Sequence, residues 1–114
     1  MTTQEIYEQI GMDYDQILER FVDEDRLYKY MNKFVQEPSF ARLQKSMEEG
    51  NATQAFEAAH ALKGICLTLG FGNLYIPVSK LTEQLRTGQM PENDETYQEV
   101  VAEYDRVIGM IREI

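Results

Sequence analysis

Cysteine, histidine, proline and tryptophan are scarce in this 114-residue sequence, which has one cysteine, one histidine, three prolines and no tryptophan. The single cysteine, Cys66, excludes an intramolecular disulfide framework and any zinc site built from several thiolates. Lying between Ile65 and Leu67, it reads as a small buried hydrophobe rather than a reactive thiol. One histidine without a matched set of carboxylates or thiolates gives too few ligands for a metal site. No apolar run approaches the roughly 20 residues needed to cross a bilayer. The start also lacks the basic and apolar stretches of a secretion signal, so a cytoplasmic location away from membranes is expected. Basic residues are few, with 11 Lys and Arg against 20 Asp and Glu and a formal net charge of −9. Such a surface repels nucleic acid and anionic lipid at long range and argues against both as partners, its plainest role being solubility. A nucleotide-binding glycine loop is missing too, because Gly70-Phe71-Gly72 is too short and no strand precedes it.

What is present is apolar spacing of helical period almost everywhere, with no sustained alternation of the strand type. A short first helix is expected from about Gln4 to Ile10, stopping at Gly11. Tyr14, Ile17, Leu18, Phe21 and Val22 form a second stripe ending near Asp23, and Leu27, Met31, Phe34 and Val35 a third. Glu37-Pro38 breaks the pattern, since proline suits a first helical turn and disfavours helix in the residue before it. Phe40, Leu43 and Met47 then lead to a stop at Gly50. Asn51 reads as an N-cap, with Gln54 as the return half of a capping box, opening a helix that runs to Leu69 before Gly70. A further helix covers about 73–87, where Pro77 removes a hydrogen bond if the helix starts at Asn73; a later start or an irregular first turn would avoid that cost. The last helix carries Tyr97, Val100, Val101, Tyr104, Ile108 and Ile111. The fold class is all-α: an antiparallel four-helix bundle over 38–112, with N-terminal helices of about 4–36 packed on it, in one domain of 1–114.

The helix over 52–69 holds the chemistry. On a wheel of about 100° per residue, Ala55, Ala59, Leu62, Cys66 and Leu69 cluster on one side, with Ala58 and Ile65 at its edge. The centre of that stripe lies about 140° from His60, which therefore faces away from the core. Lys63 and Gly64 follow three and four residues on, one turn beyond His60 on neighbouring rows. Lys63 places a cation where it can neutralise a phosphoryl group on the imidazole. Gly64 removes a side chain that would crowd the ring, at a cost of about 1 kcal/mol relative to alanine in a helix. Leu67 and Phe56 offer apolar contact for a docking protein. A neutral imidazole nitrogen attacks phosphorus without a separate strong base, because its ordinary titration range lies near neutrality.

Ala59-His60-Ala61-Leu62-Lys63-Gly64, followed by Leu69-Gly70 and by Leu81 and Leu85 on the next helix, resembles the motif of histidine-phosphotransfer (HPt) domains of multistep two-component phosphorelays. A weaker likeness extends over about residues 34–88. The resemblance implies a four-helix bundle with an exposed phosphorylated histidine. His60 would carry the phosphate through Nε2, Lys63 would hold phosphoryl oxygens and Gly64 would keep the approach open. Donors and acceptors would be aspartates on the receiver domains of response regulators and of a hybrid sensor histidine kinase. Those receivers would bring the Mg²⁺, so this chain, a monomeric phosphocarrier rather than an enzyme, would need no cofactor. Many relatives place a longer polar side chain, often Gln, on the following helix to orient the imidazole. Thr82 stands there in this sequence, and Ile65 and Leu67 replace the small residues common after the glycine. Two other readings stand beside this one. In one the chain is an HPt-like adaptor that docks receivers without carrying phosphate, and in the other it is a purely structural helical bundle.

Overall fold

A computed structural model describes all residues from Met1 to Ile114. Seven helices follow one another: α1 (Thr3–Ile10), α2 (Tyr14–Phe21), α3 (Glu24–Gln36), α4 (Ser39–Glu48), α5 (Ala52–Leu69), α6 (Gly72–Leu85) and α7 (Glu95–Arg112). Short polar side chains start several of them by accepting from the free N–H groups of the first turn. Thr2 and Glu5 form a reciprocal capping box on α1, Asp13 accepts from Asp15 N–H on α2, and Asp23 accepts from Arg26 N–H at 2.8 Å on α3. Asn51 caps α5 by accepting from Gln54 N–H at 3.1 Å. The expected return bond from Gln54 does not form. The Asn51 N–H instead donates to the Ser46 carbonyl at 2.9 Å, which closes the turn out of α4 and leaves nothing for Gln54 to accept.

Short connections fold α4, α5, α6 and α7 back on one another, and each packs against the next. The bundle closes where Phe40 of α4 stacks on Tyr104 of α7, with ring centroids 3.8 Å apart and planes 16° from parallel. Phe34 of α3 adds a second aromatic contact to Tyr104 and meets Phe71 edge-on at 5.0 Å, so α3 lies across the end of the bundle. The expected core stripe of α5 is buried: Ala55, Ala58, Ala59, Leu62, Cys66 and Leu69 all face inward, with Ile65 half-buried at the edge. Burial pushes the Cys66 thiol up to about 12, against a smaller opposing backbone hydrogen bond. Its anion is therefore suppressed at neutral pH, consistent with a packing role.

The α6 helix begins at Gly72, within one residue of the expected start at Asn73, so Pro77 lies inside it. The missing N–H at Pro77 leaves the Asn73 carbonyl without its helical donor. Tertiary packing offsets this. Leu74, Val78, Leu81 and Leu85 are fully buried, and the Asn73 amide donates to the Gln9 carbonyl at 3.0 Å. A glycine is required at the junction, because a Cβ on Gly72 would stand 2.9 Å from the Gly11 carbonyl oxygen.

The N-terminal helices also hold the far end of α5. The buried Tyr7 hydroxyl donates to the Leu69 carbonyl at 2.7 Å, and Arg20 donates to the carbonyls of Leu67 and Thr68 at 3.0 and 2.7 Å. Burial drives the Tyr7 phenol well above its ordinary range, so it stays protonated as the donor. Tyr7 is thus a packing residue. No helix is long and apolar enough to cross a membrane.

Candidate functional site

His60 sits in the middle of α5 and is exposed, as its place on the wheel requires. Its backbone belongs to an uninterrupted 18-residue helix, so the position of the imidazole is fixed by a rigid element rather than by a loop. One turn on, Lys63 is half-buried and forms no salt bridge, leaving its ammonium available. Gly64 is exposed, and a Cβ built on it would meet nothing within 4 Å. The space beside His60 is therefore open on this chain, and anything that fills it must come from outside. Leu67, two turns beyond His60 on the same face, is 60% exposed, unusually bare for a leucine.

The expected orienting residue does not serve. Thr82 is fully buried, and its hydroxyl donates to the Val78 carbonyl of its own helix at 2.7 Å. A short β-branched side chain on a helix finds the carbonyl four residues back more readily than a group on a neighbouring helix. The other side-chain hydrogen bonds of α5, α6 and their caps, made by Asn51, Thr68, Asn73, Gln84 and Arg86, do not reach His60 either.

The α6 residues that do come to the site are Glu83 and Arg86, which the sequence pattern passed over. The Arg86 guanidinium donates to both oxygens of the Glu83 carboxylate, at 3.0 and 2.8 Å. That bond holds the Glu83 carboxyl below the usual carboxylate range, with the charges of Arg86 and Lys63 adding to it. The Arg86 cation also lies 5.2 Å from the centre of the Phe56 ring, within cation–π range. Phe56 in turn lies 5.9 Å from the imidazole of His60, with planes 21° from parallel. The two helices thus bring His60, Phe56, Lys63, Glu83 and Arg86 into one cluster. Glu83 and Arg86 were detectable in principle, as an i,i+3 ion pair on the exposed side of the helix after the histidine.

One helix of the bundle thus carries a solvent-facing histidine, a lysine without a salt bridge and an open glycine, the arrangement that the motif's resemblance to HPt domains implies. Comparison with protein families agrees: the family model described as "Hpt domain" matches residues 16–109, from α2 to near the end of α7. The chain belongs to the Hpt domain family, whose members act in phosphorelays of two-component signalling. No curated protein and no solved structure matches it.

Proposed function

We propose that this chain accepts a phosphoryl group on His60 from an aspartyl phosphate of one receiver domain and passes it to the aspartate of another. The observation that carries this reading is the exposure of His60 on the face of α5 that also presents the unpaired Lys63 and the open Gly64. A histidine retained for packing would lie in the core. In the forward step the lone pair of Nε2 attacks phosphorus, and the P–O bond to the donor carboxylate breaks with its electron pair leaving on oxygen. The N–P bond forms while Nδ1 keeps its hydrogen. The Lys63 ammonium approaches the phosphoryl oxygens, a charge-assisted contact stronger than a neutral one. The bound Mg²⁺ is supplied by the receiver, and this chain requires no cofactor of its own. Receivers dock on the bare face around Gly64, with Leu67 and the exposed part of Phe56 as apolar contacts. The partners are response-regulator receivers and the receiver of a hybrid sensor histidine kinase, met by a monomer in the cytoplasm.

The test is phosphate transfer from a panel of labelled receiver domains to the native chain and to His60→Gln. Acid-labile, base-stable label on the native chain that is lost in the variant, with the helical circular dichroism unchanged, is the expected result. Receiver binding without any label would replace the carrier with an adaptor, and neither binding nor label would leave a structural bundle.

A further inference from the structure

We infer that Phe56 is a positioning residue for His60, setting the plane of the imidazole by ring stacking where no hydrogen bond does so. This rests on His60 being the phosphate carrier. In-line attack needs the Nε2 lone pair, which lies in the ring plane, to point at phosphorus, so ring rotation decides how often the side chain is ready to react. A ring nitrogen is ordinarily oriented by an acceptor on the opposite nitrogen. Here Thr82 is turned into the core and bonded to Val78, and no other side chain of α5 or α6 bonds the imidazole. What the imidazole does meet is Phe56, four residues earlier. Helical side chains lean toward the N-terminus, so the residue at i−4 lies beneath its successor. The separation of 5.9 Å and the angle of 21° describe an offset parallel pair.

Phe56 can act as a template only if it is itself fixed, and the structure fixes it from two sides. Its ring is half-buried against the core, and the Arg86 guanidinium sits over it at 5.2 Å. Arg86 is held in that position by two hydrogen bonds to Glu83, from Nε and Nη2. Restraint therefore passes from Glu83 through Arg86 to Phe56, and from Phe56 to the reacting ring.

The experiment compares the full chain with Phe56→Leu and Phe56→Tyr in single-turnover transfer from a receiver domain phosphorylated with acetyl phosphate. The maximal rate and the half-saturating receiver concentration are read separately, alongside the NMR signals of the His60 ring protons. Loss of one aromatic pair is expected to lower the maximal rate at saturating receiver about two- to tenfold, on top of any rise in half-saturation from the lost docking contact. The His60 ring protons should move as the ring current of Phe56 disappears, and Phe56→Tyr should restore both rate and signals. A rise in half-saturation with an unchanged maximal rate would leave Phe56 a docking contact only and overturn the inference, as would unchanged rates in Phe56→Leu. Absence of label on the native chain would overturn the carrier reading itself, a result distinct from either.

Discussion

Replacing Gly64 by alanine should make the protein more stable and a poorer phosphate acceptor at once. The glycine sits inside α5 at ordinary helical dihedrals, since only Gly11, Gly50, Gly70 and Gly88 among the glycines have positive φ. Alanine there removes the entropic cost of an interior helical glycine, a gain of about 0.5–1 kcal/mol. The new methyl meets nothing within 4 Å, so no clash subtracts from that gain. In a domain of this size the melting temperature should rise by about 2–5 °C. A partner pressed against this face would meet the methyl where a close-packed surface has no room. Overpacking costs about 1–3 kcal/mol, enough to weaken productive docking at least about fivefold. Gly109 provides the matched control, because it is also exposed inside a helix and unobstructed, yet it lies on α7 outside the site. Thermal melts by circular dichroism and transfer rates from a phosphorylated receiver should show both variants stabilised and only Gly64→Ala impaired. Equal transfer by the two variants would refute close approach at Gly64, and destabilisation by Gly64→Ala would refute the open space described beside His60.

Three further expectations concern single groups. Lys63→Ala should leave stability within about 0.5 kcal/mol, as its ammonium has no salt bridge, while slowing transfer about ten- to a hundredfold, the worth of one charge-assisted hydrogen bond; unchanged transfer rates would remove Lys63 from the site. Cys66 should resist alkylation at pH 8 in the folded protein and react on unfolding. Because its folded titration point is raised from 9.0 to about 12, its contribution to stability is complete below pH 9 and declines as pH rises toward 12. Rapid labelling of the native protein would contradict this. Tyr7→Phe should cost about 1–3 kcal/mol in urea unfolding, because the buried Leu69 carbonyl loses its 2.7 Å donor; a neutral result would show that another donor replaces it.

Much of the architecture is legible in the sequence because helix ends and apolar stripes are local properties. Gly11, Gly50 and Gly70 do end their helices with positive φ, and the Ala55 to Leu69 stripe is the buried one. His60, Lys63 and Gly64 are readable for the same reason, as spacing along one helix fixes their shared face. What depends on contact between helices is not legible. Thr82 occupies the sequence position of an orienting group, but whether its hydroxyl faces α5 or its own turn depends on rotamer and packing. Phe56 reads as a surface hydrophobe until α6 brings Arg86 over it. Gln54 matches a capping box in type, yet the tight turn after α4 takes the N–H it needs. The sequence leaves open whether α6 starts ahead of Pro77 or after it, and its start at Gly72 brings that glycine against Gly11, far away in sequence.

The helix bearing His60 is tied down by groups that lie outside the four-helix bundle. Its last carbonyls are held by Tyr7 from α1 and Arg20 from α2, and of the two the buried tyrosine contributes more, since an exposed cation at a helix C-terminus contributes about 0.3–1 kcal/mol. In hydrogen-exchange terms, opening of the N-terminal segment removes donors from the Leu67, Thr68 and Leu69 carbonyls and is expected to raise exchange at the end of α5. A ligand or neighbouring domain that pulls α1 or α2 away would thereby loosen the turn that carries Leu67 without touching His60, which makes the first twenty residues a mechanical handle on the proposed docking face.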